Sequence, residues 1–585
     1  MAAMVLLGMN LSTSPVLAQT DTDIAATRRE AENWRAEHRT IDMHQHIDYT
    51  EEHLARAVKI MDATGIGLEV NLSGGTVTHK PGELSEFERN KQLADRLFPG
   101  RFVHYMNLDY AGWDEPDFAQ RAAQQIDEGH RLGAAGFKAF KQLGLALRDR
   151  AGKLIRVDDP KLDAMWKRCG ELGMPVSIHV ADPKAFWQPF DASNERWKEL
   201  QDHKNWWFGD AQKYPAWRDL LEALTRVIER HPKTTFVCVH FANNAEELDT
   251  VEKWLDRYPN MMADLAARIP ELGRHAPEAV RRLFIKHQDR ILFGTDFQVY
   301  DVLTLGSGGK GAPPTDADAQ VFFEKHWRWL ETNDRGFAHM TPIQGDWTID
   351  AIGLPAAVLR KIYFDNARKL LARSMPLPRL RAARVEEDFV PDANPAKPAW
   401  QKAVPAYAEC QTDTYASRPD IATPVRALWS DRYLYLFYTA PYTQLTEFRP
   451  PSFEKKRIGL WDRDVVEAFI GADPAKLNLY KEFQVAPTGE KLDLALELPQ
   501  RDFEWTSGFE AAVKVDEAAH VWRSEWRIPL TAISVTPPKP GTVWRINLLR
   551  CDYANKAYLA WSPTSSGSFH APEKMGFLEF EPGPK

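Results

Sequence analysis

Apolar and polar positions follow two rhythms along the first two-thirds of the chain. Short apolar runs of roughly four to eight residues, read as strands, alternate with stretches where apolar side chains recur every three to four positions. Strands are expected at 40–47, 66–72, 101–108, 135–141, 174–180, 235–241, 261–265 and 290–296. Helices are expected at 51–63, 85–98, 117–132, 160–172, 217–230, 245–257, 277–287 and 354–371. In the first of these Leu54, Ala57, Val58 and Met61 share one face. Strict strand–helix alternation implies a parallel sheet covered by helices. Eight such units over this length fit a closed (β/α)8 TIM barrel of the α/β class. The rhythm then changes. Residues 374–396 are rich in Pro, Ala and Arg and are expected to form a linker. Beyond Trp400, aromatic-rich strands at 428–438, 464–470, 481–485, 521–530 and 543–550 are separated by turn residues, which fits an all-β sandwich. The expected organisation is a barrel over 28–373, a linker over 374–396 and a C-terminal β-sandwich domain over 397–585.

Composition narrows the function. With 585 residues, more than one domain is required. Lys plus Arg total 74 against 82 for Asp plus Glu, a net charge of -8, which argues against nucleic acid and anionic membrane surfaces as partners. Residues 1–20 are apolar and rich in small side chains, and Val16-x-Ala18 before Gln19 fits a signal-peptidase site. No Lys or Arg precedes that run, the first being Arg28. An export signal is the expectation, giving a periplasmic or secreted protein. No other apolar run is long enough to span a bilayer. The chain has 20 tryptophans, a richness that often accompanies binding surfaces for flat or ring-shaped ligands. Of the four cysteines, Cys169 and Cys238 read as core residues, and Cys410 and Cys551 could form one disulfide.

Candidate chemistry sits at the strand tips. His44 and His46 are two apart on one strand and so share a face. Neutral imidazole suits zinc and similar metals. In a (β/α)8 barrel the active site lies at the C-terminal strand ends. The polar residues there are His44 and His46, Lys138 or Lys141, His179, His240, Asp264 and Asp296. Singly, each has an ordinary explanation: a hydrogen-bonded histidine, or an aspartate opening a turn. Each also costs desolvation unless it is paired or ligated. Jointly, four imidazoles and a carboxylate on one barrel face converge where metal coordination would form.

These residues lie in Asp42-x-His44-x-His46, Ser177-Ile178-His179, Cys238-Val239-His240, Leu292-Phe293-Gly294-Thr295-Asp296 and Ile362-Tyr363-Phe364-Asp365-Asn366-Ala367. With this set the chain resembles the amidohydrolase superfamily over about residues 30–373. The resemblance is to its amidohydrolase-related branch of metal-dependent decarboxylases and small-molecule hydrolases. It implies that His44, His46, His179 and Asp296 ligate a divalent metal, usually zinc, with His240 beside it as a catalytic group. In some members a carbamylated lysine from the fourth strand bridges two metals. Lys138 and Lys141 are three apart, so at most one points inward. Both could instead be ordinary lysines, or one could bind a substrate carboxylate. A single metal is expected.

Three histidines and an aspartate leave room for water, whose pKa a metal lowers toward ~7. Asp296 could ligate and accept the water's proton, and His240 could donate to the oxygen where charge develops. The same ligands could support non-oxidative decarboxylation. The long connections 181–214 and 297–353 are expected to wall the pocket. Trp187 in the first, and Arg268 after the seventh strand, are candidate substrate contacts.

The C-terminal strands carry Asp464-Val465-Val466-Glu467, Ala486-Pro487-Thr488-Gly489, Glu525-Trp526-x-Ile528-Pro529-Leu530, Arg545-Ile546-Asn547, Trp561-Ser562-Pro563 and Gly576-Phe577-Leu578. They resemble a family 9-like carbohydrate-binding module over about residues 390–583, which implies sugar binding by surface aromatics. A purely structural sandwich is the alternative. The expected protein is an exported metal-dependent hydrolase acting on a C–N or C–O bond, an amide or lactone, of a small molecule. A sugar-related lactone is the attractive case. The alternatives are a decarboxylase on the same scaffold, or a catalytically inactive carbohydrate-binding surface protein.

Overall fold

The computed structural model describes residues 21–583, so the export signal expected at 1–20 lies outside the described residues. The chain divides between Ser374 and Met375 into two compact units.

In the first unit eight strands pair in chain order, each parallel to the next. They are β1 (Thr40–Ile47), β2 (Ile66–Asn71), β3 (Phe102–Met106), β4 (Gly136–Ala139), β5 (Val176–Ile178), β6 (Phe236–Cys238), β7 (Met261–Asp264) and β8 (Ile291–Leu292). The ring closes where Met43 N donates to Phe293 O at 3.0 Å and Asp296 N to His44 O at 2.8 Å. The unit is therefore the expected (β/α)8 barrel. The helices obey ordinary end chemistry. Thr50 accepts from His53 N ahead of Glu51–Thr64, and Ser85 and Glu88 form a capping box ahead of Glu86–Leu97. Trp217–Arg230 buries Leu220, Leu221, Leu224, Val227 and Ile228, the spacing of one helix face. Each such side chain contributes roughly 1.5–3 kcal/mol by leaving water.

Two connections hold more structure than the sequence reading gave them. Within 297–353, β9 (Phe297–Val299) runs parallel to β1, and β10 (Leu303–Leu305) turns back antiparallel to β9. The same stretch holds the 16-residue helix Asp316–Glu331, which buries Phe322, Phe323, Trp327 and Trp329. The final helix breaks into Ala356–Arg360, a π-helical turn Lys361–Asp365, and Asn366–Leu370. Ile362 O, in that turn, accepts from Phe293 N at 3.0 Å and fixes the end of β8. Among the described residues no helix is long and apolar enough to cross a membrane.

The second unit is an all-β sandwich. One sheet contains Lys491–Glu497, Leu479–Val485, Val465–Gly471, Val543–Asp552 and Gly576–Phe580. The other contains Thr423–Trp429, Tyr433–Pro441, Val521–Pro529 and Glu510–Asp516. Val466, Ala468, Ile470 and Leu548 from the first meet Leu436, Tyr438, Trp522 and Trp526 from the second in one core. The stretch 374–396, expected as a linker, contains the strand Arg379–Arg384. It pairs with Gly576–Phe580 through Arg379–Ala382 and with Thr423–Trp429 through its last two residues, so it joins the two sheets. Leu380 and Ala382 alternate inward, but the arginines between them hid the period-2 pattern. The disulfide considered between Cys410 and Cys551 does not form, because the Cys551 thiol instead faces Glu467 Oε1 at 3.6 Å.

Candidate active site

The site assembles at the C-terminal ends of the barrel strands, where short ladders release the next residues into the mouth. On β1, His44 and His46 both turn inward, with ring centroids 5.3 Å apart. His44 Nδ1 lies 2.8 Å from Asp264 Oδ2 at the tip of β7. An ionised carboxylate only accepts, so Nδ1 carries the proton and Nε2 presents its lone pair. That Nε2 is buried with no hydrogen-bond partner and stands 3.7 Å from Asp296 Oδ1. His46 Nε2 is also 3.7 Å from Asp296 Oδ1, while its Nδ1 meets Ser73 Oγ at 2.7 Å. One ligand atom from each of His44, His46 and Asp296 falls within 4.8 Å of the others. Ligand atoms held about 2.0–2.1 Å from a tetrahedral ion stand roughly 3.3 Å apart, so the observed spacing fits a cation with little movement.

Asp296 reaches this position through a left-handed backbone, φ 60°, which lifts it out of the strand ladder. Burial pushes its carboxyl up to about 7, against the opposing pull of Lys138 and Arg268. Asp42 ties β1 to the eighth strand. It accepts from His44 N at 3.0 Å, Thr295 N at 3.2 Å, Thr295 Oγ1 at 2.5 Å and Gln45 Nε2 at 2.8 Å. Gly294 makes a close approach, since a Cβ there would lie 3.1 Å from His44 Cβ.

The sequence reading carried β6 through His240, but the chain leaves the strand at Cys238. His240, Phe241, Ala242 and Asn243 then take four consecutive left-handed conformations, with φ between 50° and 59°. Such residues cost about 1–2 kcal/mol each and persist only where their surroundings impose them. Asn243 supplies that restraint. Its Oδ1 accepts from Val180 N and Ala181 N, both at 3.0 Å, and its Nδ2 donates to Val239 O at 2.9 Å. His240 N donates to Asp264 Oδ1 at 2.8 Å, and its Nδ1 donates to Ala266 O at 2.8 Å. Nε2 is therefore the unprotonated nitrogen of the neutral ring. The ring lies 4.8 Å from that of His44 and 4.4 Å from that of His179. Burial holds His240 well below the ordinary histidine range.

His179, just past β5, joins this histidine group, but its Nε2 faces Ala181 O at 3.2 Å and Asp182 Oδ1 at 3.4 Å. It is not one of the three residues whose ligand atoms cluster. Burial pushes it down to about 4. Lys141 lies beyond β4 rather than on it, and its Nζ meets Asp182 Oδ2 at 2.6 Å. Lys138 is the inward lysine, 1% exposed, with no hydrogen-bond partner at Nζ. Burial brings its amine down to about 8, against the pull of Asp264 and Asp296. Arg268 is also buried, and its Nη1 donates to Ala267 O at 2.8 Å. Trp187 is held within its own connection, its Nε1 on Pro215 O at 2.9 Å and its ring 5.0 Å from Phe208.

The two long connections clasp each other. His203 Nε2 donates to Gly308 O at 2.9 Å, Lys310 N donates to Asp202 Oδ2 at 2.8 Å, and Ser307 bonds Glu199. Sequence reasoning gave Asp42, Asp264, Asn243 and Ser73 no roles. Asp42 stood inside the histidine motif and Asp264 at a strand tip, so both were visible; what each touches was not.

In the second unit, Glu482 and Gln484 are buried on one strand, with Gln484 Nε2 donating to Glu482 Oε1 at 2.6 Å. Glu482 Oε2 has no hydrogen-bond partner and lies 3.9 Å from His570 Nε2. Burial pushes Glu482 up to about 7.

The amidohydrolase family model matches residues 41–373, and the carbohydrate family 9 binding domain-like model matches residues 392–581. A curated relative, "Extracellular protein" of Arthroderma benhamiae, is 25% identical over 171 residues, covering 26% of this chain and 76% of its own. A carbohydrate binding module family 9 from Caldicellulosiruptor kristjanssonii in complex with cellotriose is 15% identical. It covers 36% of this chain and 95% of its own at a TM-score of 0.27. The 2,6-dihydroxybenzoate decarboxylase from Rhizobium is 17% identical and covers 57% of this chain and 98% of its own at a TM-score of 0.31. Because the first of these family models spans more than half of the sequence, the chain belongs to the amidohydrolase family, with a carbohydrate family 9 binding domain-like unit following the barrel.

Proposed function

We propose that the barrel is a metal-dependent hydrolase that cleaves an amide or lactone bond of a small molecule. The observation that carries this reading is the cluster of His44, His46 and Asp296, with the bare Nε2 of His44 facing into it. His44 and His46 would hold one divalent ion together with Asp296, and His179 would complete the set by turning from Asp182. The histidine-rich donor set suits zinc. When bound, the ion supplies Lewis acidity, polarising the scissile carbonyl and acidifying water. Asp264 keeps the His44 proton on Nδ1. Asp296 takes the proton of the attacking water on its carboxylate. His240 accepts that same proton in turn from Asp296 at Nε2, and its Nδ1–H stays on Ala266 O. It then returns that proton to the leaving nitrogen or oxygen.

The decarboxylase reading uses the same residues and is supported by the inward Lys138. Turnover in 18O-labelled water separates the two: label in the product supports hydrolysis, whereas carbon dioxide release without label supports decarboxylation. Asp296→Asn should abolish either reaction with the fold intact. In the second unit, buried polar side chains at Glu482 and Gln484 support a sugar site. That domain and the extracellular relative favour an exported protein. Isothermal titration with cello-oligosaccharides tests the sugar site, and Gln484→Leu should abolish the heat of binding.

A further inference from the structure

A cavity of about 620 Å³ opens among the connections that follow three barrel strands. Its walls come from the stretch between Lys184 and Glu195 after β5, from Glu246 after β6, and from Glu271 to His275 after β7. None of His44, His46, His179, His240 and Asp296 lines it. The walls are fixed by their own bonds. Asn194 Nδ2 donates to Ala185 O at 2.8 Å and to Pro189 O at 2.9 Å. Lys184 N donates to Glu246 Oε1, and His275 Nε2 to Ala245 O, both at 2.8 Å.

 The groups left over in this cavity are acceptors. Glu271 is 3% exposed, and its Oε1 bonds Arg196. Arg196 also holds Glu199 Oε2 at 2.9 Å, so one guanidinium serves two buried carboxylates. Glu271 Oε2 has no hydrogen-bond partner, and a bare carboxylate oxygen is costly at that depth. Arg268, whose charge Arg196 feels, forms no ion pair with Glu271 among the described residues. Glu246 is half-buried and likewise forms no ion pair among them. The cations of the lining are already matched. Arg274 Nη1 lies 2.9 Å from Glu195 Oε2, and Lys184 Nζ lies 3.5 Å from Glu247 Oε1. Because His275 donates from Nε2, its neutral ring keeps Nδ1 as a further acceptor.

We propose that this cavity is a second binding site, separate from the metal cluster, for a small amino polyol: a molecule with one primary ammonium and several hydroxyl groups. An ammonium brings three donors and one positive charge, which answers Glu271 Oε2 and the Glu246 carboxylate together. The hydroxyl groups answer His275 Nδ1 and the exposed rim at Gln188. A bare divalent ion fits less well. Calcium takes six to eight oxygens at about 2.3–2.6 Å, whereas the carboxylates of this cavity do not bring three ligand atoms within 4.8 Å of one another. The site takes no part in bond cleavage, so it stands apart from the hydrolysis proposed for the barrel.

The test is calorimetric titration of the full-length protein at pH 7, where a primary amine is protonated, with glucamine, with sorbitol and with calcium chloride. Sorbitol is the same open chain with a hydroxyl in place of the ammonium, and neither polyol offers a sugar ring to the C-terminal unit. Wild type should bind glucamine and not sorbitol. Glu271→Gln should weaken glucamine roughly ten- to a hundredfold, as for a lost hydrogen bond to a charged group. Glu246→Gln should weaken it roughly two- to fivefold, as for a half-exposed pair. Glu271→Gln also disturbs the buried Arg196 pair, so Gln188→Trp serves as a second variant. It fills the cavity from the exposed rim and should abolish binding with the melting temperature unchanged. His44→Ala should bind glucamine as wild type does. Equal binding of sorbitol would overturn the ammonium assignment. No binding of glucamine by wild type, or wild-type affinity in both Glu271→Gln and Gln188→Trp, would overturn the site. Calcium that displaces glucamine from wild type would overturn it in favour of a cation site, and loss of glucamine binding in His44→Ala would overturn it by placing the amine at the metal cluster.

Discussion

Replacing Asp264 with Asn tests how the barrel prepares its histidines. The side chain is fully buried and accepts three hydrogen bonds, from His44 Nδ1 and His240 N at 2.8 Å and from Ala266 N at 3.2 Å. An asparagine of the same shape can keep its oxygen on the two backbone amides. Its NH2 group then faces His44 Nδ1, where two donors would oppose each other. The His44 proton must move to Nε2, which removes the lone pair from the metal cluster. A hydrogen bond to a charged partner is worth roughly 1.5–3 kcal/mol, and loss of a carboxylate behind a ligating histidine typically costs 10- to 100-fold in metal affinity. The expected weakening is therefore about 1.4–2.8 kcal/mol. Competition with a chromophoric chelator at pH 7.5 reads it directly. Burial pushes Asp264 up to about 6, so at that pH the wild-type carboxylate is ionised. Asp264→Ala serves as the contrast, because it strands both backbone amides and should destabilise the barrel as well. If Asp264→Asn folds normally and binds zinc as tightly as wild type, the tautomer argument is wrong.

Three further outcomes follow from the structure. Asn243→Ala removes the acceptor for Val180 N and Ala181 N and the residue best suited to a left-handed turn, so chemical denaturation should show a loss of about 2–4 kcal/mol. Phe293→Ala empties a fully buried site that stacks on Trp327 and abuts Tyr363, and should cost the barrel about 3–5 kcal/mol in the same assay. In the second unit, burial raises Glu482 from the ordinary carboxyl range to about 7, so the folded state holds a proton that the unfolded chain has released between about pH 4.5 and 7. Stability of that unit should be greatest below this window and fall as pH rises through it. Glu482→Gln should flatten the dependence, which melting curves at pH 5 and pH 8 would reveal.

The barrel was legible because its strands are buried on both faces and its helices on one, and those two patterns differ in period. The C-terminal sandwich was legible from its run of aromatic strands. Residues at strand tips also announced themselves, since His44, His46, His179, His240 and Asp296 interrupt apolar runs. Their partners did not. Asp264 shares a strand end with nothing in sequence that marks it as the acceptor for His44, more than 200 residues away. His240 was read as strand because Val237, Cys238 and Val239 suit one, while the left-handed turn depends on side-chain bonds from Asn243 to another strand's end. Period-2 reasoning separated Lys138 from Lys141 by face, and the structure separates them further by ending β4 at Ala139. The strand Arg379–Arg384 was hidden by arginines at its outward positions, and the helix Asp316–Glu331 by the glycine-rich segment ahead of it.

The most direct test of the account is metal content per chain, measured by elemental analysis on the purified protein and on His44→Ala. The account predicts about one equivalent of a divalent ion in wild type, lost in the variant while circular dichroism is unchanged. Two equivalents would contradict the single site, and no metal after reconstitution with zinc, manganese or other divalent ions would contradict the metal-dependent chemistry proposed for the barrel.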